Sequence, residues 1–71
     1  MEIITITTEL IRLQDLMKLA NMVSSGGEAK LLIQNGEVLV NGEVCLQRGR
    51  KLRPGDTVTY AGRTYTAAYA S

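Results

Sequence analysis

The 71 residues suffice for one small domain, and a chain of this size buries only about 60% of the surface that it exposes when unfolded. Apolar residues make up 45% of the chain and the formal net charge is +1, a balance that argues against intrinsic disorder. No apolar run approaches the ~20 residues of a membrane helix, and the N-terminus, MEIITITTEL, does not resemble a signal peptide.

The residue types that are missing limit the chemistry of this chain. There is no histidine and only one cysteine, Cys45, so neither a zinc site nor the usual proton shuttle at neutral pH can be assembled. Phosphate-binding glycine loops and the GxSxG nucleophile motif are also missing. We therefore expect no catalysis, no metal and no cofactor. The lone cysteine cannot form an internal disulfide, which fits a cytoplasmic location.

The first half of the chain predicts a strand and then a helix. Residues 3–7, IITIT, alternate β-branched side chains and indicate a strand. Residues 13–23, LQDLMKLANMV, place apolar side chains at helical spacing and leave Asn21 toward solvent. The start of this helix stays open, because Arg12 is a poor N-cap and Thr8 is an alternative start.

A second predicted helix follows a Ser-Gly turn. Ser25 and Glu28 have the spacing of a capping box, in which each side chain accepts a hydrogen bond from the backbone N–H of the other residue. Residues 29–33 carry an apolar face at i, i+3 and i+4. The Asn-Gly pair at 35–36 suits the left-handed ending that helices favour.

The second half predicts strands joined by tight turns. The Asn-Gly pair at 41–42 lies between two apolar runs and indicates a hairpin, and the Pro-Gly pair at 54–55 suits a type II turn. Residues 57–69 alternate in polarity and turn near 61–62. This order predicts an α+β fold in which two short packed helices lie against a small, mostly antiparallel β-sheet. We expect a single domain over residues 1–71.

Positive charge is concentrated in the segment LQRGRKLRPGD, whose cations are Arg48, Arg50, Lys51 and Arg53. Arginine can donate two parallel hydrogen bonds to a phosphate, and lysine adds a mobile point charge. If the segment is a strand, Arg48 and Arg50 share one face while Lys51 and Arg53 share the other. The alternative is a solvated edge whose charges prevent aggregation.

The run from Leu16 to Val58 resembles the S-four-type RNA-binding domain, which is ribosomal small-subunit protein four-like and is also called the alpha-L motif. The resemblance rests on the paired helices, Ser25, the Ala-Lys pair at 29–30, NGEVLVNGEV and KLRPGDTV. Its extent is similar to the short stand-alone bacterial members of the YbcJ-like and YaaA-like kind. The resemblance implies that the RNA-binding module makes up the whole protein.

The resemblance also implies which residues contact RNA, on the second helix, the turn before it and the neighbouring β loop. It nominates Lys30, Lys51 and Arg53, and Arg48 and Arg50 match the basic run of the stand-alone members. Ser25, Gly26 and Gly27 in the turn and Lys18 on the first helix complete the candidate RNA-binding residues. The family often has Ser-Arg at the start of the second helix, whereas this chain has Ser25-Gly26, so one phosphate contact of the pattern is missing.

Several of these residues keep two interpretations. Gly26 and Gly27 either admit an anion close to the backbone or only relax the turn, and the two readings have equal weight. Lys18 either extends the basic surface or is simply solvated. The tyrosines at 60, 65 and 69 could stack on unpaired bases, but cross-strand packing is favoured. Cys45 is expected to be a small, semi-buried hydrophobe.

These observations predict a monomeric RNA-binding protein that recognises structured RNA, with ribosomal RNA as one candidate, through phosphate contacts. No membrane and no small-molecule substrate are expected. The alternative is a protein-interaction adaptor whose basic cluster docks an acidic partner.

Overall fold

The structure is a computed structural model that describes residues 1–70. Helices and strands follow one another in the order β1 (Glu2–Ile6), β2 (Ile11–Arg12), α1 (Leu13–Leu19), α2 (Gly26–Gln34), β3 (Val38–Val40), β4 (Glu43–Val44), β5 (Lys51–Leu52), β6 (Thr57–Tyr60) and β7 (Arg63–Tyr69). The predicted α+β class is confirmed. None of the helices in this range is long and apolar enough to cross a membrane.

The strands form one larger and one smaller sheet. The five-stranded sheet has the order β1-β7-β6-β3-β4, and β2 pairs with β5 in a separate two-stranded sheet. The β1–β7 pair is parallel and every other pair is antiparallel, so the sheet is mostly antiparallel, as predicted. The pairing of β1 with β7 places the first and last strands of the described chain side by side.

The core lies between one face of the five-stranded sheet and the two helices. Its fully buried side chains are Ile6, Leu13, Leu16, Met17, Ile33, Leu52, Val38, Val40 and Val58. The alternation along β6 and β7 turns Val58 and Tyr65 toward this core, and their threonine neighbours lie on the opposite face of the sheet. Burial of apolar surface on this single face holds the helices to the sheet.

Helix α1 is shorter than the sequence pattern predicts, because it ends at Leu19 rather than Val23. Asn21 has a φ of 59°, and the N–H groups of Asn21 and Met22 donate to the carbonyls of Lys18 and Met17. These two bonds are the Schellman ending of a helix, with Asn21 as the left-handed residue. Asn21 is exposed, as predicted. The prediction that Asn21 is helical was wrong, because its backbone is left-handed and lies beyond the end of α1.

Helix α2 begins and ends close to the predicted positions. The Ser25 hydroxyl accepts from the N–H of Glu28 at 3.2 Å, so half of the predicted capping box is present. The Glu28 carboxylate does not complete the box, since it accepts instead from the Ser24 hydroxyl at 3.4 Å. At the other end Gly36 has a φ of 75°, as the Asn-Gly signal predicts.

The predicted turns are confirmed. Asn41 and Gly42 have φ values of 52° and 85°, and Ala61 and Gly62 have 54° and 79°, the left-handed pairs that join twisted antiparallel strands. In the turn at 53–56 the Asp56 N–H donates to the Arg53 carbonyl at 3.0 Å, and Gly55 has a φ of 99°. This is the type II geometry expected from Pro-Gly.

Candidate nucleic-acid interface

The basic loop, defined as residues 48–53, displays four exposed cations: Arg48, Arg50, Lys51 and Arg53. Only Lys51 and Leu52 belong to a strand, and Arg50 donates its N–H to the Gln47 carbonyl at 3.2 Å in a turn. Arg48 and Arg50 therefore lie outside any strand, and the alternation of faces considered for a strand does not apply to them. Leu52 is fully buried, and it fixes the segment to the core while the cations face solvent.

The start of the basic loop is bound to the N-terminus of α1. The N–H groups of Leu13 and Gln14 donate to the carbonyls of Arg50 and Arg48 at 2.8 and 3.1 Å. The first N–H groups of a helix lack partners within it, and here the loop backbone supplies them. Arg12 occupies the N-cap position and makes no side-chain capping bond. The carbonyl groups of the loop therefore do the capping that a side chain usually does, which explains why the sequence did not define the start of this helix.

The end of the basic loop is held by the type II turn. The Asp56 carboxylate accepts from the Arg53 N–H at 2.8 Å and from the Asn41 side-chain amide at 3.2 Å. The Asn41 side-chain oxygen in turn accepts from the N–H of Thr57 at 2.9 Å. Both ends of the loop are thus tied to the fold, which limits the conformational entropy that would be lost when its cations bind an anion.

Arg12 is part of the basic surface, although its place in the sequence did not predict this. In the β2–β5 pair Arg12 lies directly opposite Lys51. Side chains at such positions have Cβ atoms about 4.5–5.5 Å apart, and like charges there repel. A bound anion between them would remove this repulsion. Only the tertiary pairing of β2 with β5 reveals this proximity, since no local sequence signal connects the two residues.

The remaining candidates lie on the helices. Lys30 is exposed on α2, and Ser25 caps that helix ahead of Gly26 and Gly27, its first two residues. A Cβ built on Gly26 would meet nothing within 4 Å, and one on Gly27 would meet only the Ser25 hydroxyl at 3.9 Å. Neither glycine has a positive φ, so the backbone does not require glycine at these positions.

Two cations outside the basic loop form ion pairs, whereas the loop cations do not within the described part of the chain. Lys18 pairs with Asp15 at 3.3 Å on α1, and Arg63 pairs with Glu2 at 2.7 Å between β7 and β1. Within residues 1–70 the four loop cations take part in neither pair nor in any other. Within residues 1–70 no ion pair therefore compensates the charges of the basic loop, whereas Asp15 partly compensates Lys18.

The tyrosines and the cysteine fit the packing interpretation. Tyr65 is buried, Tyr60 is half-buried against the core, and Tyr69 is half-exposed at the end of β7. Arg63 lies over the Tyr65 ring at 6.0 Å. Cys45 is buried, as expected for a small hydrophobe. These side chains therefore add little to the basic surface.

Comparison with known proteins identifies the family. Residues 4–67 match the family model described as the S4 domain. The chain is 49% identical over 59 residues to the "Probable ribosome maturation protein RlbA" of Bacillus subtilis (strain 168), with 83% of each chain covered. It is 39% identical over 54 residues to YbcJ of Escherichia coli (strain K12), with 76% of this chain and 77% of YbcJ covered.

Solved structures agree with this assignment. The solution structure of E. coli YbcJ, described as revealing an alpha-L motif involved in RNA binding, superposes with a TM-score of 0.72 at 32% identity and covers 96% of this chain and 87% of YbcJ. The 30S ribosomal protein S4e from Thermoplasma acidophilum shares the fold, with a TM-score of 0.63 at 20% identity over 84% of this chain and 32% of S4e. The chain therefore belongs to the S4 domain family, as the resemblance in its sequence implied.

Proposed function

We propose that this protein binds structured RNA without catalysis, by contacts between its basic loop and phosphate groups. The observation that carries the proposal is the basic loop itself, which displays four exposed cations without an acidic side chain among them and is hydrogen-bonded to the fold at both ends. Phosphate contacts dominate nucleic-acid affinity, and a pre-organised set of cations can fit a folded backbone without reading bases.

The helices supply a second part of the same surface in this proposal. Lys30 on α2 and the capped turn at Ser25, Gly26 and Gly27 offer a cation and accessible backbone at a helix N-terminus. Glu28 lies in the same turn and disfavours an anion there. We therefore assign the principal contacts to the basic loop and to Arg12, and supporting contacts to α2 and Lys18.

The names of the relatives support a more specific proposal about the RNA that is bound. One relative is named for ribosome maturation, and the solution structure of the other is described by an RNA-binding motif. We propose structured ribosomal RNA as the target of this chain, with residues 1–71 acting as one monomeric unit in the cytosol. Under this proposal the protein requires no cofactor and no small-molecule substrate.

The test is a binding titration with three labelled probes, a folded RNA hairpin, a single-stranded RNA and a DNA duplex, at several salt concentrations. Four phosphate contacts give a slope of log K against log[salt] of roughly −3 to −4. A slope of this size with preference for the hairpin supports the proposal. No binding at low salt would refute it, and an association with cell proteins that resists nuclease would favour the adaptor alternative.

A further inference from the structure

A cleft of about 620 Å³ lies beside the basic loop, between the end of β1 and the start of α1. Leu10, Ile11 and Leu19 contribute its apolar lining, and the threonines within residues 5–8 add hydroxyl groups. Arg12 and Lys51, which face each other across β2 and β5, also line this cleft. Its size falls within the range of pockets that bind small organic groups.

The cleft combines an apolar wall with uncompensated cations. Leu10 is 42% exposed and Leu19 is 53% exposed, so this wall faces water. Among residues 1–70 neither Arg12 nor Lys51 forms an ion pair. Asp15 lines the same cleft, and one of its two carboxylate oxygens is engaged by Lys18. An occupant that matches this chemistry has an apolar flat part, an anionic part and a hydrogen-bond donor.

We infer that the cleft holds one unpaired nucleotide of the bound RNA. The base lies against Leu10 and Leu19, its phosphate meets Arg12 and Lys51, and Asp15 accepts a hydrogen bond from an exocyclic amino group. The inference rests on the proposed RNA binding and adds to it a preference for RNA with an extruded base. A carboxylate accepts from the exocyclic amino group of cytosine, whereas uracil presents a carbonyl oxygen at that position, so a bulged cytosine binds better than a bulged uracil.

The apolar wall is aliphatic, since Leu10, Ile11 and Leu19 form it. Base stacking on aromatic side chains strengthens single-strand binding, and an aliphatic wall is expected to contribute less than an aromatic one. The expected gain is therefore about fivefold in affinity for a hairpin with one bulged cytosine over the same hairpin fully paired. The phosphate contacts, by contrast, are common to both hairpins.

The experiment measures Kd by fluorescence anisotropy for the full chain with three labelled hairpins of identical stems: fully paired, with one bulged cytosine, and with one bulged uracil. Leu10→Ser and Leu19→Ser are expected to lose the preference for the bulge while keeping the affinity for the paired hairpin and the salt slope. Asp15→Asn is expected to lose the discrimination of cytosine from uracil. Leu31→Ser is the matched control, because Leu31 is 62% exposed on α2 and does not line the cleft.

The outcomes separate the inference from the proposed function. Equal affinity of the wild-type protein for all three hairpins, or a bulge preference that survives Leu10→Ser and Leu19→Ser, would overturn the inference while leaving RNA binding intact. Failure to bind any hairpin at low salt would overturn both. Cytidine monophosphate tests whether the cleft binds a free nucleotide. If the protein binds cytidine monophosphate as tightly as the hairpin with a bulged cytosine, the cleft is a site for a small ligand and the inference is overturned.

Discussion

Asn41 and Asp56 join the two turns that the sequence shows as separate motifs. The Asn41 amide donates to the Asp56 carboxylate at 3.2 Å, and the other carboxylate oxygen of Asp56 accepts from the Arg53 N–H at 2.8 Å. The backbone strengthens this link, because the Asn41 N–H donates to the Thr57 carbonyl at 2.9 Å. The VNG hairpin and the PGD turn are therefore one structural unit that holds the end of the basic loop.

Replacement of Asp56 by alanine is expected to destabilise the protein. The change removes two side-chain hydrogen bonds to a charged acceptor, and such bonds make a net contribution of about 1.5–3 kcal/mol each. Because the site is only partly buried, we expect a loss of about 2 kcal/mol in the free energy of unfolding, measured by urea denaturation. The matched control is Glu43→Ala, an exposed acid on β4, which should change the stability by less than about 0.5 kcal/mol. Equal effects of the two substitutions would contradict this role for Asp56.

Ala61 is expected to be a site of backbone strain that a single substitution relieves. Its φ of 54° lies in the left-handed region, which costs an L-residue with a Cβ roughly 1–2 kcal/mol. Ala61→Gly should raise the free energy of unfolding by about 0.5–1 kcal/mol, because part of the relief is offset by the greater freedom of glycine in the unfolded chain. The same substitution at Ala68, inside β7, should lower stability instead. Thermal denaturation of both variants checks the opposite signs.

Charge reversal in the basic loop is expected to abolish RNA binding without unfolding the protein. Arg50→Glu combined with Lys51→Glu replaces two exposed cations by anions, and the loop backbone that caps α1 keeps its hydrogen bonds. Anisotropy with a folded RNA hairpin should show no binding of this variant at about 0.15 M salt, where binding of the wild-type protein is expected. Thermal denaturation should shift little, because surface substitutions rarely change stability by more than about 0.5 kcal/mol.

Single neutral substitutions measure the contribution of each cation. Arg50→Gln should reduce the steepness of the salt dependence by about 0.7–0.9, the value of one phosphate contact. Arg63→Gln removes the same charge from β7, where Arg63 pairs with Glu2, and should leave the slope unchanged. If both variants lower the slope alike, the protein is attracting RNA through its overall charge, and the basic loop is not the site.

Gly27→Ala separates a structural role from a binding role. The added Cβ meets only the Ser25 hydroxyl at 3.9 Å, so helix α2 should become more stable by a few tenths of a kcal/mol. The affinity for an RNA hairpin should fall, because the methyl group occupies space next to the first N–H groups of the helix. Gln34→Ala, at the other end of α2, should stabilise the helix and leave the affinity unchanged. If Gly27→Ala binds the RNA hairpin as tightly as the wild-type protein does, Gly27 only forms the turn and does not contact RNA.

Local signals in the sequence predicted most of the elements. The capping Ser25, the left-handed Gly36 and the Asn-Gly and Pro-Gly turns act over three or four residues, and all are found where they were predicted. The end of α1 at Leu19 was missed, because Asn21 fits a helical pattern as well as it fits a left-handed ending. Asparagine adopts both conformations, and only the bonds from Asn21 and Met22 to the preceding turn distinguish them.

The sequence by itself determined the α+β class, the turn chemistry and the presence of four cations within six residues, since each depends on neighbours along the chain. Only the tertiary structure decided what those cations lie against. The capping of α1 by the Arg48 and Arg50 carbonyls, the link between Asn41 and Asp56, and the position of Arg12 opposite Lys51 all join distant segments. The physical reason is that burial of Leu52 and pairing of β2 with β5 bring these segments together. The residue pattern within each segment does not indicate which other segment it will pair with.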